Sequence, residues 1–261
     1  MALYLIEHKV EIYTSLDGPK EGNDRIRINK NGLGTYSLIV EKMNMLEKLS
    51  CPIGGISITV TDANFEFLDN HFWDWCVSKG FVSIACDFDL VNSLNISNDE
   101  KVRFLVNAWR FFVLKGIEFY GTWMTPFINL SNNSCSESTF SFCKAGRGLN
   151  ISVDADGNIG ACSYSSHKFA TFQDLSKSIR PGGKYYELVS GCLVGQAAYA
   201  ECVGCILEGS CCGQCQMTRH SSNHKMVENQ CDFYKRVTAA MLQAQAELLI
   251  NEERREDHEG N

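Results

Sequence analysis

The chain has 261 residues, 44% of them apolar and 21% charged, an ordinary composition for a globular protein able to bury a sizeable core. Its net charge is −7, with no long run of Lys or Arg, so nothing recommends a nucleic-acid backbone or an anionic membrane as partner. The opening residues, MALYLIEHKVEIY, have neither a basic n-region nor an apolar h-region, and no stretch stays apolar for roughly eighteen residues, so neither a signal peptide nor a spanning helix is expected.

The first half alternates strand and helix. HKVEIYTSLD (8–17) reads as a strand, followed by a long polar loop containing Gly18, Gly22 and Gly32. A helical pattern then sets Tyr36, Ile39, Val40, Met43 and Leu46 on one face. GGISITVTD (54–62) is a β-branched strand. The next helix places Phe65, Leu68, Phe72, Trp75 and Cys76 on one stripe and stops at Gly80, a natural residue to follow a helix. FVSIACDFDL (81–90) reads as a third strand. Ser97 and Glu100 form a capping box for a third helix, whose stripe is Val102, Leu105, Val106, Trp109, Phe112 and Val113. It ends at Gly116, and IEFYGTWM (117–124) is a fourth short strand.

Such repetition, with near-continuous apolar strands, predicts an α/β fold whose parallel sheet is covered by helices. About three βα units are too few to close a barrel, which leaves two sheet edges in need of a cover.

From residue 132 the texture changes to small polar residues and cysteines. Asp156-Gly157-Asn158 is a turn signal between two short β runs, ISV and IGA. The end, roughly Phe233 to Glu253, reads as a helix with a charged last turn that frays into DHEGN, and the charged tail NEERREDHE is most simply a solvated helix end. His71 and Trp75 read as packing residues and His220 and His224 as a solvated pair. Core packing is the default for Tyr120, Trp123 and Phe127, with substrate lining as the alternative.

Thirteen cysteines without a secretion signal point to a reducing compartment, hence a cytoplasmic protein whose thiols bind metal. Cys202, Cys205, Cys211 and Cys215 form C-x2-C-x5-C-x3-C, followed by Cys231. Upstream, Cys143 is followed by Gly157, which is followed after four residues by Cys162. Zinc is the competing metal, held by the knuckles Cys202-x2-Cys205 and Cys212-x2-Cys215. That reading leaves Cys143, Cys162 and Cys231 without a role. Cys192 and Cys212 read as spare thiols.

The spacing of these thiols resembles the seven-cysteine SPASM domain, the C-terminal extension of many radical SAM enzymes. The pattern there is C-x9–15-G-x4-C, a gap, C-x2-C-x5-C-x3-C, a gap, and C. A second stretch, TSLDGPKEGNDRIR (14–27), resembles the S-[IL]-D-G-P…D-x-x-R segment that closes the fourth barrel strand of the same enzymes. The resemblance implies a C-terminal half of a partial radical SAM barrel over residues 1–131, an auxiliary-cluster domain over 132–236, and a C-terminal helix and tail over 237–261.

It also implies two auxiliary [4Fe–4S] clusters. Cys143, Cys162 and Cys215 would ligate the first, with Cys135 as a candidate fourth ligand. Cys202, Cys205, Cys211 and Cys231 would ligate the second. Ser15 and Asp17 are candidates for the side that faces S-adenosylmethionine, although Asp17-Gly18-Pro19 equally suits a plain turn. A peptide or protein substrate is implied, and no nucleic acid or membrane.

One element of the pattern is missing. The C-x3-C-x2-C loop that holds the S-adenosylmethionine-cleaving cluster occurs nowhere in the 261 residues; Cys51, Cys76 and Cys86 lack the spacing. The chain is therefore expected to be incomplete for cleavage by itself and to engage S-adenosylmethionine only where the missing barrel half is supplied, as by a partner chain that completes the barrel. The alternative is a non-catalytic partner subunit or pseudo-enzyme that binds a peptide or completes another chain's barrel. Sulfatase-maturating relatives carry an Asp after the cysteine matched by Cys162, and Ser163 stands there instead.

Overall fold

The computed structural model describes residues 2–89, 92–131, 142, 145, 150–163, 168–184, 200–211, 213–215 and 224–259. It divides into two compact units, Met1–Gly121 and Thr122–Asn261.

The first unit is built on a four-stranded sheet of β1 (Tyr13–Ser15), β2 (Gly55–Val60), β3 (Ser83–Phe88) and β4 (Glu118–Tyr120), in that order and parallel throughout. Its helices are α1 (Ala2–Glu7), α2 (Lys20–Ile26), α3 (Tyr36–Lys48), α4 (Asn70–Ser78) and α5 (Asn98–Val113). The expected succession of strands and helices is present, with differences at the ends.

The expected strand 8–17 shrinks to three residues because α1 precedes it and closes at Lys9, whose φ of 53° turns the chain. The polar loop holds α2, which begins after Pro19, with Gly22 buried inside it. α4 starts at Asn70 rather than Phe65, since the Asp69 side chain accepts the His71 and Phe72 N–H groups and fixes the first turn there. That register exposes His71 and buries Trp73, against the packing role expected of His71. Gly80 and Gly116 end their helices as expected, at φ 70° and 69°.

β2 shows how the sheet is used. Ile56, Ile58 and Val60 are at most 2% exposed, while Ser57 and Thr59 between them are exposed. One face is thus buried under helices and the other is polar, where near-continuous burial was expected. The buried side is aromatic. Trp73 meets the Phe112 ring edge-on at 5.4 Å, and Phe112 stacks on Phe119 at 5.3 Å. Phe104 packs against Phe65, Phe88 and Trp73 at 5.3, 6.0 and 5.9 Å. Each such pair adds about 0.5–1.5 kcal/mol beyond area burial.

The second unit contains α6 (Thr125–Ser131), a small antiparallel sheet of β5 (Ser152–Val153), β6 (Asn158–Gly160) and β7 (Ala170–Thr171), then α7 (Leu175–Ser178) and the long α8 (His224–Glu259). The expected ISV/IGA hairpin forms, and its turn is held by Asp154, whose Oδ1 accepts the Asp156 and Asn158 N–H groups. Ile159, Ala161 and Phe169 make its small core. On α8 the buried residues Phe233, Tyr234, Val237, Met241 and Ala244 recur at helical spacing, and Phe142 packs against Tyr234 at 5.2 Å. Trp123 and Phe127 are core residues here, at 1% and 6% exposure, whereas Tyr120 in the first unit is 39% exposed. Among the described residues no helix is long and apolar enough to cross a membrane.

Candidate functional site

In open parallel sheets, ligands bind outside the carboxyl ends of the strands. The register sets Ser15, Ser57, Ala85 and Tyr120 in one row across the four strands. Paired residues share a face, so the row lies on the polar side with Ser57 and Thr59. Partial burial, with Glu118, Tyr13 and Asp87 nearby, pushes the Tyr120 phenol up.

Just past β1 the chain dives inward. Asp17 is 1% exposed, and every polar group it carries is used. Its Oδ1 accepts the Thr59 N–H at 2.7 Å, and its Oδ2 lies 2.6 Å from Nε of half-buried Arg27. Its N–H donates to Asn23 Oδ1 at 3.1 Å, and its carbonyl accepts from Asn64 Nδ2 at 2.7 Å. Asn64, itself fully buried, also donates to the Thr59 carbonyl and accepts the Thr61 N–H. Burying so many polar groups is tolerable because they satisfy one another.

The two halves of the D-G-P…D-x-x-R stretch therefore meet in space, Asp17 against Arg27. Asp24 fixes the next step by accepting the Tyr36 N–H at 2.8 Å, where α3 begins, and by pairing with Lys20. Although burial works against ionisation, the Lys20 ammonium and the Tyr36 N–H hold the Asp24 carboxyl below the usual carboxylate range. Asn64 and Thr59 went unread in the sequence, where a lone Asn in a loop gives no signal.

The second candidate region is the thiol segment. Cys162, Cys202, Cys205, Cys211, Cys215 and Cys231 are half-buried and none forms a disulfide. Cys135 and Cys143 lie outside the described residues, as do Cys192, Cys212 and His220. After a 3-10 turn at Ala200–Cys202, the segment runs as successive tight turns. Cys205 N–H donates to the Cys202 carbonyl at 3.1 Å, and Cys211 N–H to that of Leu207 at 3.0 Å. Asn129 Nδ2 on α6 anchors it by donating to the Ser210 carbonyl at 2.8 Å.

Left-handed backbone recurs at Gly204, Gly209, Gly213 and Gln214. For glycine this is free, whereas for Gln214, at φ 70°, it costs on the order of 1–2 kcal/mol. The Gln214 Nε2 donates to Cys231 Sγ, joining the segment to α8.

This all-thiol donor set, drawn from turns and one helix face, fits an iron–sulfur cluster in its chemistry. Among the described residues no three His, Cys, Asp or Glu side chains converge as a single metal ion would require. Cys76 and Cys86 are of a different kind. Both are 0% exposed in the aromatic core, and burial pushes their thiols well up.

An α/β unit with one polar sheet face, and a second unit with a cysteine-rich segment closed by a long helix, define the class by architecture. Among the solved structures it resembles are those of anSMEcpe, an anaerobic sulfatase-maturating enzyme of the radical SAM/SPASM type. With native anSMEcpe holding AdoMet and the Cp18Cys peptide, the TM-score is 0.68 at 18% identity, over 96% of this chain and 72% of that one. With native anSMEcpe holding AdoMet, the values are 0.69 and 19%, over 96% and 71%. The form with the Kp18Cys peptide gives 0.68 and 18%. No protein-family model and no curated protein sequence matches the chain. The likeness is one of fold.

Proposed function

We propose that the chain is an iron–sulfur protein of the radical SAM/SPASM type. It holds two auxiliary [4Fe–4S] clusters for electron transfer and substrate docking during radical-based modification of a peptide or protein. The observation that carries this reading is the full seven-thiol spacing, Cys143 to Cys231, on a chain with the fold of an enzyme crystallised with AdoMet and peptides. Cys143, Cys162 and Cys215, with Cys135, serve the first cluster. Cys202, Cys205, Cys211 and Cys231 serve the second. Residues 1–131 form the barrel part, 132–236 the cluster domain and 237–261 the terminal helix and tail, and thirteen cysteines without a secretion signal suit a reducing cytoplasm.

Ser15, on the polar sheet face, and Asp17, which holds the turn behind it, belong to the S-adenosylmethionine side. Without a C-x3-C-x2-C loop in its 261 residues, the polypeptide does not cleave S-adenosylmethionine unaided. Reconstituting it anaerobically and assaying 5′-deoxyadenosine tests this: none is expected, and sustained formation contradicts it. The substrate class rests on the neighbours' peptides, and Ser163 argues against sulfatase maturation.

A second reading, a non-catalytic subunit that completes another chain's barrel, is favoured by the sheet itself. Among the described residues β1 and β4 pair on one side each, and Tyr13 and Tyr120 at those edges are exposed. It predicts that adding the partner restores S-adenosylmethionine cleavage to the mixture.

A further inference from the structure

Gln214 combines three properties that a plain turn does not need. It follows Gly213 at φ 76° with its own φ at 70°, a backbone that glycine would supply without strain. Its side chain is carried inward to 1% exposure. There its amide Nε2 is within hydrogen-bonding reach of Cys231 Sγ, 17 residues away on α8. Strain of this kind persists where the surroundings over-determine it, and it gathers at functional sites. The contact supplies the reason, because an N–H donor aimed at sulfur stabilises electron density on that sulfur and orients the thiol.

We propose that Gln214 is a positioning residue for the second cluster: its amide fixes the Cys231 sulfur and raises the reduction potential of the cluster that sulfur ligates. This rests on Cys231 being a cluster ligand, as proposed above. The direction follows from charge. A reduced cluster carries one more electron than an oxidised one, so an N–H donor to its thiolate favours the reduced form. Gln214 also immediately precedes Cys215, assigned to the first cluster. Its backbone therefore adjoins one proposed ligand set while its side chain touches the other.

The test uses the full chain, reconstituted anaerobically, with Gln214→Gly and Gln214→Leu beside the unaltered protein. Gln214→Gly removes the donor and relieves the backbone strain, while Gln214→Leu keeps the bulk and removes the donor. Iron and sulfide content and an EPR-monitored redox titration are read for each. Both variants are expected to move one cluster potential to more negative values and leave the other in place. Loss of about half the iron from a folded Gln214→Gly protein supports the positioning role equally. Full cluster content with neither potential moved, or with both moved alike, overturns the inference while leaving the cluster assignment standing. A chain that takes up no iron overturns both.

Discussion

At the scale of single residues, the buried Asp17 carboxylate has one oxygen on the Thr59 N–H and the other against Arg27, so it acts on its own scaffold. Replacing it leaves Arg27 without a counter-charge and the Thr59 N–H without an acceptor. Asp17→Ala is expected to destabilise the protein by about 3 kcal/mol, read as a lower urea midpoint at unchanged slope. An unchanged midpoint would remove Asp17 from the scaffold. The thiols divide by environment in the same way. Because burial raises the thiols of Cys76 and Cys86, iodoacetamide should modify the thiols of the 202–215 segment in metal-free protein long before these two, as followed by mass spectrometry. Equal rates would contradict the distinction.

Elements carry the next level of stability. The Ser97 side chain accepts the Glu100 N–H while the Glu100 carboxylate accepts the Ser97 N–H at 2.9 Å, the reciprocal cap expected from the sequence. Ser97→Ala should cost about 1 kcal/mol in thermal or urea unfolding. The hydrogen bonds from Ser97 hold the Glu100 carboxyl below its usual range. A depressed folded value means that its stabilisation is complete above the unfolded carboxylate range and is lost as pH falls through the folded value. The stability difference between the protein and Glu100→Gln should therefore narrow from about pH 6 to about pH 3. A constant difference would place the effect elsewhere. Phe112, 0% exposed between Trp73 and Phe119, should cost roughly 3–5 kcal/mol when cut to Ala.

These elements also show what the sequence made legible. The capping box, the stops at Gly80 and Gly116, and the Asp156-Gly157 turn were readable because each is fixed by local chemistry. The shortness of β1, the presence of α2 and the burial of Trp73 in place of His71 were not. They depend on α1 running up to the turn at Lys9, and on Pro19 and Asp69 starting helices inside segments whose pattern pointed elsewhere. The thiol spacing was legible as a pattern, but the Gln214–Cys231 contact was not, because it joins a loop to a helix through an amide that has no sequence signature.

For the whole molecule, the central claim is that the cysteines of the second unit hold two cubane clusters. The described residues of 200–211 and 213–215 are turns, and among them Leu207 is a buried apolar side chain, so metal ligation would add to the order of the segment. The fold likeness to anSMEcpe gives this claim its context, and metal stoichiometry decides it. The most direct measurement is iron and acid-labile sulfide per chain after anaerobic reconstitution, with zinc determined on the same sample. About eight irons and about eight sulfides per chain are expected, with negligible zinc. One zinc per chain without iron, or no bound metal at all, would contradict it.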